Sequence, residues 1–169
     1  SLLVAALLGS ATLSAQTITN NENGKYTLKV GEVSMTVDAS KGAKILSYKY
    51  GDKEVLSQTR MPNSFGSTFW TSPQSEWNWP PVPEYDTKPF NAEVAGDKLI
   101  LTGEKSKRFG YRVRKELTTD KKDNAIVITY TIINESGETR KVAPWEISRV
   151  PNGGILFFDA KEVTPANNM

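Results

Sequence analysis

The chain has 169 residues, with 21 Lys and Arg against 19 Asp and Glu and neither Cys nor His. A net charge of +2 on a chain with 24% charged residues describes an ordinary solvated surface, not the concentrated basic footprint of a nucleic-acid binder. Without Cys there are no disulfides, thiol nucleophiles or zinc–thiolate sites; without His the commonest general acid/base and metal ligand is missing, so neither metal nor cofactor is expected.

Residues 1–14 read SLLVAALLGSATLS, an uncharged apolar stretch that drifts into small residues and reaches Ala15-Gln16. This is the pattern of a signal peptide over residues 1–15 that lacks its basic n-region, with cleavage after Ala15. The alternative, a buried N-terminal helix, is disfavoured because polar residues 17–25 follow at once. A membrane-spanning helix needs about 20 apolar residues, so no membrane insertion is expected after cleavage. The expected location is periplasmic or secreted, and no Cys at the junction offers a lipoprotein anchor. Residues 16–169 then read as part of a single domain. The chain stops soon after an apolar run at 155–158 with no cap, which reads as the N-terminal part of that domain.

From residue 25 onward the periodicity is that of strands. Tyr26, Leu28 and Val30 alternate with polar residues, and Val33, Met35 and Val37 repeat the pattern after Gly31-Glu32, predicting a hairpin. Strands are expected at 43–50 and 54–56, split by the turn signal Gly51-Asp52. A second hairpin is expected at 90–94 and 99–102, around Ala95-Gly96-Asp97. The longest strands are expected at 111–117 and 126–133. In the latter Ile126, Ile128, Tyr130 and Ile132 share a core-facing side. In the former Arg112, Arg114 and Glu116 line a solvated face opposite Val113 and Leu117. Residues 142–150 and 155–158 complete the series. Many short strands with Gly and Asp turns predict an all-β antiparallel sandwich.

One segment breaks the pattern. Residues 65–85, FGSTFWTSPQSEWNWPPVPEY, hold three of the four Trp and four of the nine Pro. Long Pro-rich aromatic segments inside a domain read as functional loops. Sugar rings present C–H faces that stack on aromatic rings, and hydroxyl rims that meet planar amide, carboxylate and guanidinium groups. Trp70, Gln74, Trp77 and Trp79 are therefore candidate sugar contacts; the competing reading is that these Trp plug the end of the sandwich core. The run APWEISRV adds Trp145, Glu146 and Arg149. Glu146 is a candidate hydroxyl acceptor or general base and Arg149 a candidate hydroxyl ligand, against a plain Glu–Arg surface pair. The basic run Lys105-Ser106-Lys107-Arg108 reads as a solvated loop, and the sequon at Asn134 as a turn. No nucleophile elbow or phosphate-cradling loop is present.

Asp38-Ala39-Ser40-Lys41-Gly42-Ala43-Lys44-Ile45, with Tyr48 and Gly51-Asp52-Lys53-Glu54-Val55-Leu56, resembles the opening of galactose mutarotase-like domains. The strand ending in Asn134 resembles another of their strands. FWTSPQSEWNWPP with APWEISRV is most similar to an exported branch of that superfamily classed as a domain of unknown function (DUF4380). The resemblance implies a large antiparallel β-supersandwich, here cut at its C-terminus, with a sugar cleft on one face. It also marks a departure: these enzymes pair a His acid with a Glu base, and where the His is expected this chain reads Pro144-Trp145-Glu146. The expected function is carbohydrate binding. Alternatives are a non-standard epimerase or glycan-processing enzyme that uses Glu146, and an envelope protein-interaction module.

Overall fold

In the computed structural model, which describes residues 17–60, 65–153 and 155, the alternating runs fold as antiparallel strands in two sheets. The larger contains β1 (Ile18–Asn20), β2 (Lys25–Val30), β3 (Val33–Asp38), β4 (Lys44–Tyr50), β5 (Lys53–Glu54), β6 (Ser67–Ser72) and β11 (Ala143–Ser148). Its order is β1-β2-β3-β4-β6-β11, with β5 hanging on β4. The smaller sheet runs β10-β9-β8-β7, from β7 (Asn91–Ala95), β8 (Lys98–Thr102), β9 (Tyr111–Asp120) and β10 (Ala125–Asn134). The fold is an all-β antiparallel sandwich, as the periodicity predicts.

The hairpins follow their turn signals. Leu28 pairs with Met35 and Val30 with Val33, so the apolar sides of β2 and β3 coincide and pack inward. They face Val113 and Leu117 of β9, both fully buried. Phe69 of β6 stacks on Tyr130 of β10 with centroids 4.6 Å apart and planes within 8°. That contact fixes which side of β6 looks between the sheets. Ile126, Ile128, Tyr130 and Ile132 do pack against the core, but only half-buried, because β10 is an edge strand.

The expected loop at 65–85 is corrected by the structure: its first part is β6, and only the remainder is irregular. Five of the six residues of β6 are buried, so both faces are covered and no polar–apolar alternation marks it as a strand. After β6 come a 3₁₀ turn (Gln74–Glu76) and a one-turn helix, α1 (Pro83–Asp86), which buries Tyr85. This stretch packs between β6 and the β8–β9 connection, where Arg108 donates to the carbonyls of Glu76 and Trp77. Three-residue β1 is too short to give a period. The expected signal peptide at 1–15, and the expected strand at 155–158 apart from Ile155, lie outside the described residues. Among the described residues no helix is long and apolar enough to cross a membrane.

Gly42 locks this irregular stretch onto the β3–β4 turn. Its φ is +62°, its N–H donates to Lys88 O at 2.8 Å, and a Cβ there would stand 2.2 Å from Asp86 O. Left-handed backbone costs an L-residue about 1–2 kcal/mol before any clash with a fixed carbonyl is added. Gly42→Ala is expected to lose more than about 2 kcal/mol in denaturant unfolding. A loss within about 0.5 kcal/mol, typical of an inert surface change, would show that α1 does not press on this turn.

Candidate functional site

Because Phe69 points between the sheets, its neighbours Thr68 and Trp70 point to the outer face of the larger sheet. Register carries the same parity across the strands. Trp145 lies opposite Trp70 and Ile147 opposite Thr68, while Ile45, paired with Ser67, faces inward. Lys44 and Leu46 therefore face outward beside Trp70. On this face lies a cleft of about 1040 Å³, floored by Leu46, Thr68 and Trp70 and walled by Trp79, Pro80 and Pro81. Asp86 and Arg149 also line it, with cations from the strands and turns around them.

Trp70 is the hub. Its ring is met edge-on by Trp77 at 5.8 Å, Trp79 at 5.9 Å and Trp145 at 5.6 Å. Each such pair contributes about 0.5–1.5 kcal/mol beyond burial. Its Nε1 donates to Asp86 Oδ1 at 2.8 Å, aiming that carboxylate into the cleft wall. Asn78 has φ +56° and its N–H donates to Gln74 O. Asn tolerates this left-handed conformation, and the reversal sends the two flanking Trp in opposite directions. Trp77 goes inward, 3% exposed, with Nε1 donating to Thr71 O at 2.9 Å. Trp79 goes outward, 69% exposed, at the wall of the cleft.

Trp70, Trp79 and Arg149 therefore share one cleft. Trp77 is a core plug, and Trp145 is half-buried behind Trp70 and tilted against Trp77 at 6.2 Å. Gln74 is exposed in a separate shallow depression with Pro73, Pro144 and Trp145. Glu146 lies opposite Phe69, on the inner face of β11, with the sheet between it and the cleft. There Ser67 Oγ donates to it, as does Ser148 Oγ at 3.3 Å. Burial of its carboxyl end raises it above the ordinary carboxylate range, against the Ser148 hydrogen bond and the nearby Lys115 and Arg149 charges. The alternative reading of a Glu146–Arg149 surface pair is not met: among the described residues no ion pair joins them.

Arg149 Nη1 donates to Thr68 Oγ1 at 3.2 Å, which holds the guanidinium against the cleft floor. Lys44 Nζ and Arg60 Cζ lie 3.7 Å and 3.6 Å from the centroid of the Phe65 ring. Burial, then repulsion from Arg149, pulls the Lys44 ammonium down to about 8; Asp86 opposes this and Arg60 adds to it. Sequence reading missed Lys44, Arg60, Phe65, Thr68 and Asp86. Lys44 stood within the quoted Gly-Ala-Lys-Ile motif, and Asp86 one position past the aromatic segment, but only the register puts them beside Trp70. Among the described residues no group of three or more carboxylates is arranged to hold a metal ion.

Sequence reading also missed Lys115, although it shares the inward parity of Tyr111, Val113 and Leu117. It is 3% exposed, and its Nζ donates to Gly42 O and Ala43 O, both at 2.9 Å. Phe69, Phe90 and Tyr130 surround it at 5.4–5.9 Å. Burial pulls it down to about 7, with Glu146 and Asp86 opposing.

No family model matches the chain, and no curated protein matches it. Among solved structures it is similar to 4-alpha-glucanotransferase from Thermococcus litoralis, at 13% identity and a TM-score of 0.44. That likeness covers 70% of this chain and 24% of that enzyme, and is too slight to argue from.

Lys115 sets a pH dependence. Its folded pKa lies below its unfolded one, so between about 7 and about 10 the unfolded chain binds more protons and stability rises with pH. Lys44 acts in the same direction from about 8 upward. The thermal midpoint is expected to climb between about pH 6.5 and 9, and less steeply in Lys115→Met. An equal climb in both proteins would show that Lys115 keeps its proton through folding.

Proposed function

We propose that this chain is a carbohydrate-binding domain of the galactose mutarotase-like kind, exported to the periplasm or beyond, whose ligand lies in the Trp70–Trp79 cleft. The carrying observation is Trp79, a large aromatic ring left 69% exposed at the wall of a cleft that also presents polar side chains. An exposed indole is costly to leave in water, and a flat ring beside hydroxyl ligands is what a pyranose face recognises. Thr68, Asp86 and Arg149 supply acceptors and donors for the hydroxyl rim. Pro80, Pro81 and the Trp70 edge contact hold the indole in place, so less entropy is lost when a ligand stacks on it. The sequence resemblance points the same way. Glu146 lies across the sheet, so the reading is binding, and no catalytic step is assigned to it.

Trp79→Ala tests this directly. A saturable change in tryptophan emission is expected when the full chain is titrated with a panel of oligosaccharides. The variant should weaken that binding about tenfold or more, since stacking on one ring contributes roughly 1–3 kcal/mol in comparable aromatic platforms. Its thermal midpoint should stay within a few degrees of the parent, because the side chain is mostly exposed. A flat response across the panel from folded parent protein overturns the proposal.

A further inference from the structure

The charges around the cleft are far from balanced. Lys25, Lys41, Lys44, Arg60 and Arg149 line it against only Asp38 and Asp86, in a chain whose whole net charge is +2. Both carboxylates already serve neutral donors. Asp38 accepts from the Ser40 N–H at 2.9 Å and Ser40 Oγ at 2.6 Å, and Asp86 accepts from Trp70. Among the described residues none of Lys25, Lys41, Arg60 and Arg149 forms an ion pair with a carboxylate. The arginines of β9 do: Arg112 pairs with Glu135 and Arg114 with Glu116. Carboxylates thus compensate the arginines of β9, while Lys25, Lys41, Arg60 and Arg149 at the cleft have no such partner among the described residues.

The cations are also fixed in place. Lys44 and Arg60 both lie against the Phe65 ring, and Arg149 is tied to Thr68. Burial is the main cause of the depressed Lys44 ammonium, and Arg149 and, more weakly, Arg60 add to it against Asp86, so the neighbouring cations disfavour its charge. An anion placed among them would relieve that repulsion and accept charge-assisted hydrogen bonds from a preformed fork and ammonium. The volume, about 1040 Å³, stands at the upper end of the roughly 300–1,000 Å³ usual for small-ligand pockets, which suits several rings better than one free ion.

We propose that the cleft takes an acidic saccharide, one carrying a carboxylate or sulfate, with the sugar face on Trp79 and the acid group among Lys44, Arg60 and Arg149. This deepens the carbohydrate-binding reading and rests on it. A neutral sugar would satisfy the indole and leave the cations as they are. A linear nucleic acid would satisfy the cations, but among the described residues the cleft offers it no exposed aromatic ring besides Trp79 for successive bases.

The full chain should be titrated with tetragalacturonate, with its fully methyl-esterified counterpart, and with a sulfated tetrasaccharide. Polyglutamate and an oligothymidylate of equal charge serve as anions without a pyranose. The expected result is that one or both acidic saccharides bind at least about tenfold tighter than the neutral ester, as a charge-assisted hydrogen bond contributes roughly 1.5–3 kcal/mol. The uronate and sulfate arms tell which acid group is preferred. Arg60→Gln should erase most of that advantage while leaving binding of the ester within about twofold; Arg149→Gln should weaken both ligands, the acid more than the ester; and Lys121→Gln, an exposed turn charge, should change nothing. The advantage should also shrink as salt rises. Equal affinity for acid and ester overturns this inference and leaves the carbohydrate reading standing. Polyglutamate or oligothymidylate binding as tightly as the saccharides overturns the carbohydrate reading instead. Silence from every probe overturns both.

Discussion

Strand β6 is buried on both faces, and most of the architecture follows from that. Its inner side carries Phe69, stacked on Tyr130, and so couples the two sheets. Its outer side carries Trp70, which must also be covered, and the chain covers it with its own next residues. Trp77 folds back onto Thr71 and Trp145 pairs across from β11. A large indole on an outer sheet face is unstable in water unless such a lid exists. The lid cannot be complete, because a short Pro-rich segment spans only part of the face, and the uncovered remainder is the cleft.

Lys115 ties the same region from below. An ammonium taken out of water needs acceptors in return, and Gly42 O and Ala43 O provide them at the β3–β4 turn. That turn is where Gly42 meets Asp86 and Lys88. Asp86 in turn accepts from Trp70. A chain of contacts therefore runs from the buried amine of the small sheet, through a positive-φ glycine, to the carboxylate that orients the cleft's central indole. Neither Lys115 nor Gly42 lines the cleft, but both hold the turn against which Asp86 rests.

The cleft differs electrostatically from the surface around it. Elsewhere opposite charges are interleaved, as in the Lys88–Glu84 and Lys98–Glu116 pairs. At the cleft, Asp38 and Asp86 accept from neutral donors, and among the described residues Lys25, Lys41, Arg60 and Arg149 pair with no carboxylate. In a partly water-excluded site each such charge acts more strongly than in bulk solvent.

Period-two alternation in 26–37, 99–102, 111–117 and 126–133 was enough to establish strands, hairpins and an all-β sandwich, because each of those strands has one wet and one dry face. The same test failed on β6, which is dry on both faces, and on β1, which is too short to show a period. Composition located the aromatic segment, and of the seven residues singled out, Trp70, Trp79 and Arg149 line one cleft. It had no means of separating Trp77 from Trp79, two residues apart: the positive φ of Asn78 sends one into the core and the other to solvent. Nor could it place Glu146, whose face depends on β11 pairing in register with β6. Local chemistry along the chain determined the fold class and the aromatic character of the site. Which side chains meet there was decided by strand register, because register alone brings Lys44, Trp70 and Arg149 to one face.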